Sequence, residues 1–135
     1  MNGSVNRFAN VSVVIIDDND TTRAMLRAIL RTEGVEVIGE AKDGESGLAV
    51  VRRLTPTLVC LDVLMPNASG LEVLPRIRTE FPDVRVLMVT GSTDRETVQA
   101  AIQGGACGYL VKPFNAAKVM AAIEQATGRK PKADT

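Results

Sequence analysis

Short apolar runs alternate with longer amphipathic stretches along the chain. The runs are rich in valine, isoleucine and leucine, and most are apolar at successive positions, as parallel strands are when helices cover both faces of their sheet. They are VSVVII (11–16), VEVIG (35–39), TLVCL (57–61), VRVLMV (84–89) and CGYLV (107–111). We predict that these five runs form one parallel sheet.

The stretches between and after the runs carry helical patterns, with apolar side chains three or four positions apart. The inner faces predicted for the first three helices contain Met25, Leu26, Ile29 and Leu30, then Leu48, Val51 and Leu54, then Leu71, Leu74 and Ile77. The third helix is predicted over 70–80 and the fifth over 115–127.

Several residues mark helix ends. Gly34 favours the end of the first helix, and Asp43 can cap the start of the second. A capping box from Thr93 to Glu96 predicts the start of the fourth helix. Pro75 lacks an amide donor, so we expect it to distort the first turns of the third helix.

This alternation of strands and helices predicts an α/β fold, a flavodoxin-like (βα)5 three-layer sandwich. Right-handed crossovers favour a five-stranded parallel sheet in the order 2-1-3-4-5. At 135 residues one domain is expected over 9–127, with a flexible N-terminus at 1–8 and a disordered tail at 128–135.

Composition excludes several functions. Lysine plus arginine and aspartate plus glutamate number 16 each, so no bulk charge attracts nucleic acid or a membrane. The two cysteines lie in apolar runs, which favours reduced thiols, and no signal peptide or membrane span is evident, so we expect a cytoplasmic protein. Histidine is absent, which removes the commonest neutral-pH base and zinc ligand.

Polar side chains follow the predicted strands. They are Asp17 and Asp18 after the first strand, Asp62 after the third, Thr90 after the fourth and Lys112 after the fifth, with Glu40 and Ala41 to one side after the second. Ligands of such sheets bind at the carboxyl ends of the strands, where the strand order reverses. The sequence therefore predicts that carboxylates, a hydroxyl and an amine converge at this edge.

Carboxylates this close repel by roughly 4 kcal/mol per pair at 4 Å with an effective dielectric near 20. Lys112 supplies one positive charge, and hard oxygen ligands with room for water suit Mg2+. Such a site can hold a phosphoryl group, and a carboxylate can accept it, for which Asp62 is the central candidate. Taken singly, each residue also fits an ordinary cap, turn or surface role.

The motifs VVIIDDND, LDVLMPNASGLEVL, LMVTGS and GYLVKPF, in this order and spacing, resemble the receiver domain of bacterial two-component response regulators over residues 9–127. The resemblance implies that a histidine kinase or phosphotransfer protein phosphorylates Asp62. It also implies Mg2+ bound by Asp17, Asp18, Asp62 and the backbone carbonyl of Leu64. Autodephosphorylation would be slow, and the chain would not otherwise be an enzyme.

The resemblance further implies a switch. Lys112 would contact the phosphoryl group, Thr90 would move toward it, and Tyr109 would turn inward, changing the face formed by the fourth helix, fifth strand and fifth helix. A cis bond between Lys112 and Pro113 is expected. The stretch after residue 127 of this sequence is too short for an output domain, so we expect a separate protein as the partner. We also expect a monomer or weak homodimer without nucleic-acid or membrane contact.

Some positions depart from the commonest family pattern. Ser69 stands where aspartate is frequent, which we interpret as tolerable turn chemistry. Leu64 is apolar where many relatives are polar, and we expect it to hinder a hydrolytic water. Gly91, being small, would leave the acceptor open to a donor domain.

Two other functions stay open at this point. The pattern D-x-D-x-T, made by Asp18, Asp20 and Thr22, resembles the first motif of haloacid-dehalogenase-like phosphatases, but it leaves Asp62 without a role. Alternatively, the receiver fold could serve protein contact without phosphorylation. A nucleotide-binding fold is disfavoured because carboxylates, and not glycines, follow the first strand.

Overall fold

The computed structural model describes residues 8–91 and 94–128. Within these residues five strands and five helices alternate. They are β1 (Ser12–Ile16), α1 (Asp20–Thr32), β2 (Glu36–Ala41), α2 (Gly44–Leu54), β3 (Leu58–Asp62), α3 (Gly70–Glu80), β4 (Arg85–Thr90), α4 (Arg95–Gln103), β5 (Gly108–Val111) and α5 (Ala116–Thr127). The predicted alternation is confirmed.

All neighbouring strands are parallel, and the sheet has the predicted order β2-β1-β3-β4-β5. Edge strand β2 differs most from its predicted bounds. Its register with β1 shifts between Val13 and Val14, so Ile38 is an extra residue and pairing continues to Ala41. Glu40 and Ala41 therefore lie inside β2 and do not follow it, which corrects the prediction from the sequence.

Two apolar layers sandwich the sheet, because successive strand residues face opposite sides. On one side α1 and α5 pack on strand residues such as Ile15, Cys60 and Leu87. On the other side α2, α3 and α4 pack on residues such as Ile16 and Leu61. Both faces of the central strands are thus covered, which explains their nearly continuous apolar sequence.

Side chains cap the helix starts. Asp43 caps α2 as predicted, with its Oδ1 accepting from the Ser46 amide at 2.8 Å. At α4 the predicted cap was wrong: Asp94 occupies that position and accepts from the amides of Glu96 and Thr97. Thr93 itself lies outside the described residues. The aspartate caps the helix one position later than predicted, so it accepts from the amides of its own N2 and N3 positions.

The structure also tests what was predicted for Met25, Phe8 and Pro75. Met25 was predicted on the buried face of α1, but it is 48% exposed because that face is centred on Leu26 and Leu30. Phe8, assigned to the N-terminal segment, is buried in the layer under α1 and α5. Pro75 lies inside α3, which continues through it from Gly70 to Glu80. Residues 1–7 and 129–135, where a flexible start and tail are predicted, lie outside the described residues.

Candidate functional site

The site lies at the carboxyl edge of the sheet, where β1, β3 and β4 end side by side. Asp62 is the last residue of β3 and Thr90 the last of β4, while Asp17 directly follows β1. These three are the buried polar or charged residues of the described chain, with exposed fractions of 3%, 1% and 2%. Since burial of an ionised group is costly without partners, their partners determine the chemistry of the site.

Three carboxylates form one acidic group. Asp17, Asp18 and Asp62 each offer an oxygen, and these oxygens lie within 4.8 Å of one another. Asp18 is exposed, whereas the other two are buried, so solvent reaches the group from one side. The convergence that the strand ends predicted is confirmed for these residues.

Lys112 brings the compensating charge. It follows β5, and its Nζ lies 3.3 Å from Asp62 Oδ1 and 3.4 Å from Asp17 Oδ2. The bond between Lys112 and Pro113 is cis, as the family resemblance implied. One ammonium thus faces two buried carboxylates, and a net negative charge remains in the group.

The crowding of these carboxylates affects the pKa of Asp62. Burial, followed by the charge of Asp17, raises the pKa of Asp62 to about 7 against the opposing effect of Lys112. A hydrogen bond with Asp18 also raises this pKa. Without a cation, therefore, the group holds a proton below about pH 7, and a second positive charge would displace it.

Asp17 is held from several directions. Its amide donates to the Ala41 carbonyl at 3.0 Å, and its Oδ1 accepts from the Asn19 amide at 2.8 Å. Its carbonyl accepts from Nη1 of Arg23 at 2.8 Å. Sequence reasoning missed Arg23 and its partner Glu40, although an arginine six residues after Asp17 on a first helical turn was a possible signal.

The loop from β3 to α3 is fixed by Ser69 and Gly70. Ser69 Oγ donates to the Val63 carbonyl at 3.1 Å and accepts from the Leu71 amide, so it caps α3. The amide of Gly70 donates to the same Val63 carbonyl at 2.8 Å. Ser69 therefore supplies turn chemistry, as interpreted from the sequence. Leu64, in the same loop, is 71% exposed.

Thr90 and Tyr109 are in contact. Tyr109 lies on β5, packs against the layer of α2, α3 and α4, and makes a side-chain hydrogen bond with Thr90. Burial raises the pKa of the Tyr109 hydroxyl, and the hydrogen bond with Thr90 lowers it. The two residues connect the buried edge of the sheet to β5. On the other side of Thr90, Gly91 is exposed.

The acidic group fits Mg2+ by its donor set. Its three carboxylates are hard oxygen ligands, two of them fixed by burial and one open to water, which matches an ion that takes few carboxylates and keeps several waters. Burial and the charge of Asp17 raise the pKa of Asp62, so an added positive charge would favour its ionised form. The residues present are therefore compatible with the predicted cation.

This sheet order and the fold around it are those of the CheY-like class of proteins. The family model described as "Response regulator receiver domain" matches residues 13–124. The chain belongs to this family of two-component systems, and the resemblance drawn from its motifs is confirmed.

Curated relatives fall into two sizes. The transcriptional regulatory protein LiaR of Bacillus subtilis is 33% identical over 126 residues, which are 93% of this chain and 60% of LiaR. A C4-dicarboxylate response regulator, DctR of Halalkalibacterium halodurans, is matched over only 50% of its length. In contrast, protein CcdB of Bacillus subtilis is 35% identical, with 86% of this chain and 97% of CcdB covered.

Solved structures have the same fold. The chemotaxis protein CheY4 of Vibrio cholerae aligns with a TM-score of 0.81 and 31% identity, over 87% of this chain and 99% of CheY4. A chain of the CheX-CheY-BeF3-Mg2+ complex of Borrelia burgdorferi aligns with a TM-score of 0.83 and 28% identity, over 87% of this chain and 89% of its own. Across the described part of this chain, no helix has the length and apolar character needed to traverse a bilayer.

Proposed function

We propose that the chain is a phosphoacceptor domain that receives a phosphoryl group on Asp62 from a histidine kinase or phosphotransfer protein. The observation that carries the proposal is the buried Asp62 carboxylate, 3.3 Å from Lys112 and grouped with two further carboxylates. Membership of the receiver family supports the same role.

In the transfer, an Asp62 oxygen forms a bond to phosphorus while the bond from phosphorus to the donor's histidine nitrogen breaks. That nitrogen keeps the electron pair and takes up a proton. Lys112 is already beside Asp62 and can bind the phosphoryl oxygens as charge develops on them. Hydrolysis of the resulting acyl phosphate, slow in the absence of another protein, returns the free carboxylate.

Asp17, Asp18 and Asp62 would hold Mg2+, with the Leu64 carbonyl as a further ligand. When bound, the ion supplies positive charge that offsets both carboxylate repulsion and the charge on phosphoryl oxygens. The compact acidic group supports this assignment, as does the similarity to a chain of a complex that contains BeF3 and Mg2+.

The signal would pass through Thr90 and Tyr109. A phosphoryl group adds about two negative charges and new hydrogen-bond acceptors at Asp62. Thr90 ends the neighbouring strand and hydrogen-bonds Tyr109, so a shift of Thr90 changes the setting of Tyr109. Tyr109 also lines a groove with α5, beside Lys118 and Gln125, and this surface would meet the downstream partner.

The partner is expected to be a protein. LiaR is named a transcriptional regulatory protein, but this chain spans only 60% of it. The name of LiaR therefore gives no evidence that this chain itself contacts nucleic acid. The expectation of a separate target, reached without direct nucleic-acid contact, remains a prediction. So does the cytoplasmic location.

The phosphatase alternative loses support at Asp20. Its side chain is 88% exposed and pairs with Arg23 at 2.6 Å, and it is not a member of the acidic group. An acid for leaving-group protonation would have to point into the site. The alternative without phosphorylation is separated by the following experiment.

Binding of beryllium fluoride with Mg2+, a phosphoryl mimic, tests the proposal by fluorine NMR on the full chain. The parent should give a bound fluorine signal that requires Mg2+, and Asp62→Asn should give none. Asp83→Asn, an exposed carboxylate change after α3, is the matched control and should bind as the parent does. A parent that shows no bound signal with millimolar Mg2+ would support a contact module instead.

Leu64→Asn is expected to dephosphorylate several-fold faster than the parent. The Leu64 side chain is exposed in the loop directly after Asp62, where an apolar group disfavours an ordered water and an amide can hold one. Loss of radiolabelled phosphate after removal of the donor gives the rate. Leu64→Met, which keeps the apolar character, serves as control, and an equal or slower rate in Leu64→Asn would refute the idea.

A further inference from the structure

Arg23 makes three hydrogen bonds to different parts of the molecule. Its Nη1 donates to the Asp17 carbonyl at 2.8 Å, its Nε to Glu40 at 3.1 Å and its Nη2 to Asp20 at 2.6 Å. Its side chain is only 18% exposed. A planar guanidinium with all three nitrogens engaged has little freedom, so it fixes the groups that it binds relative to one another.

Glu40 holds the arginine in this position. It lies near the end of edge strand β2, paired in register with Ile15, and its other oxygen accepts from Arg27 at 2.6 Å. Its side chain is 23% exposed, so these bonds are partly shielded from water. The carboxylate therefore ties the first turns of α1 to β2, through Arg23 on one oxygen and Arg27 on the other.

Only one of these two arginines reaches the acidic group. Arg23 contacts the backbone of Asp17, which supplies one of the two buried carboxylates, whereas Arg27 donates a hydrogen bond to Glu40. Because the Asp17 amide is already bound to Ala41 of β2, the Arg23 contact fixes the other end of the same residue. Strand β2 thus supports Asp17 twice, directly and through Glu40.

We propose that Arg23, oriented by Glu40, is a positioning residue that holds the Asp17 backbone so that its carboxylate is set for Mg2+. Partners that orient metal ligands typically change affinity by about 10-fold to 100-fold when removed. The inference rests on the proposed function, since it assigns Asp17 to a cation site.

A role of Arg23 through its charge and a role through its position predict opposite changes in Mg2+ affinity. If Arg23 acted only through its charge, Arg23→Ala would strengthen Mg2+ binding, because it removes a cation beside a cation site. If Arg23 acts by position, Arg23→Ala weakens binding, and we expect an increase of about 10-fold in the dissociation constant. Arg23→Lys keeps the charge but loses the planar guanidinium, so its Mg2+ affinity should lie between that of the parent and that of Arg23→Ala.

The experiment is a Mg2+ titration of the full chain by calorimetry, with hydrogen exchange of the metal-free protein as a second readout. Arg27→Ala is the matched control, since it removes an arginine from the same Glu40 without touching Asp17. The Mg2+ affinity of Arg27→Ala should stay within about twofold of that of the parent, because a partly exposed charge contributes little. In Arg23→Ala, the amides of Asp17 and Asn19 should exchange about 10-fold faster than in Arg27→Ala.

The outcomes separate the two proposals. A parent that binds no Mg2+ contradicts the proposed function, while the exchange rates still measure whether Arg23 anchors Asp17. A parent that binds Mg2+, with Arg23→Ala equal to Arg27→Ala or tighter than the parent, overturns the positioning role alone. If Arg23→Ala fails to fold, Arg23→Lys carries the test, and parent-like affinity and exchange in that variant overturn the role.

Discussion

Gly70→Ala is expected to lower the free energy of unfolding by about 3 kcal/mol, the upper end of the usual cost of overpacking. A Cβ on Gly70 would lie 2.1 Å from the Asp62 carbonyl oxygen and 3.0 Å from Val63 Cα. Both are backbone atoms, one in the last residue of β3 and one in the residue after it, so no side-chain rotation relieves the contact. The midpoint of thermal unfolding should fall by about 10 °C for a domain of this size.

Gly91→Ala is the matched control for this prediction. Among the described residues, no heavy atom outside its chain neighbours lies within 4 Å of a Cβ built on Gly91. The unfolding free energy should change by no more than about 0.5 kcal/mol. Equal thermal midpoints for the two variants would contradict the close packing of α3 against the backbone of Asp62.

Asp62→Asn is expected to stabilise the metal-free protein at about pH 8, by about 2 kcal/mol. Burial and the charge of Asp17 raise the pKa of Asp62 from its usual 3.8 to about 7. Between these values the folded protein keeps a proton that the unfolded chain has released, so its stability falls as pH rises from about 4 to about 7. The expected gain in stability is roughly half of the free energy equivalent to that pKa change, because solvent enters beside exposed Asp18 and screens the charges.

Chemical denaturation across this pH range, in the presence of a chelator, measures the effect. The free energy of unfolding of the parent should fall as the pH rises toward neutrality, and that of Asp62→Asn should fall less. Asp83→Asn provides the control for removal of an exposed carboxylate. Added Mg2+ should reverse the order by stabilising the parent more than Asp62→Asn, through preferential binding to the folded state. An Asp62→Asn variant that is less stable than the parent without metal would contradict the crowded acidic group.

The fold was predictable because its signals are local and repeated. Strands such as VVII and LVCL are covered on both faces, so they are nearly all apolar, and each is followed by a polar residue at the same edge. Parallel pairing then brings Asp17 and Asp62 together without any further information. Most helix bounds followed from caps and glycines in the same way.

The remaining features depend on tertiary context. Two adjacent residues, Thr93 and Asp94, can each cap a helix, and the sequence alone does not distinguish them. The extra residue in β2 stands beside Gly39, which can mark either a bulge or the end of a strand, so Glu40 was not recognised as part of the strand. The support of Asp17 by Arg23 joins residues from α1 and β2 through a side chain, a contact that no periodic pattern encodes.

Locating the phosphoryl group on the chain tests whether Asp62 is the phosphoacceptor. The full chain is incubated with Mg2+ and a small phosphodonor, the acyl phosphate is trapped by borohydride reduction, and mass spectrometry identifies the modified aspartate. We expect modification of Asp62, dependence on Mg2+, and loss of the modification in Asp62→Asn. Modification of Asp18, or an unmodified Asp62 in a folded protein that binds Mg2+, would contradict this expectation.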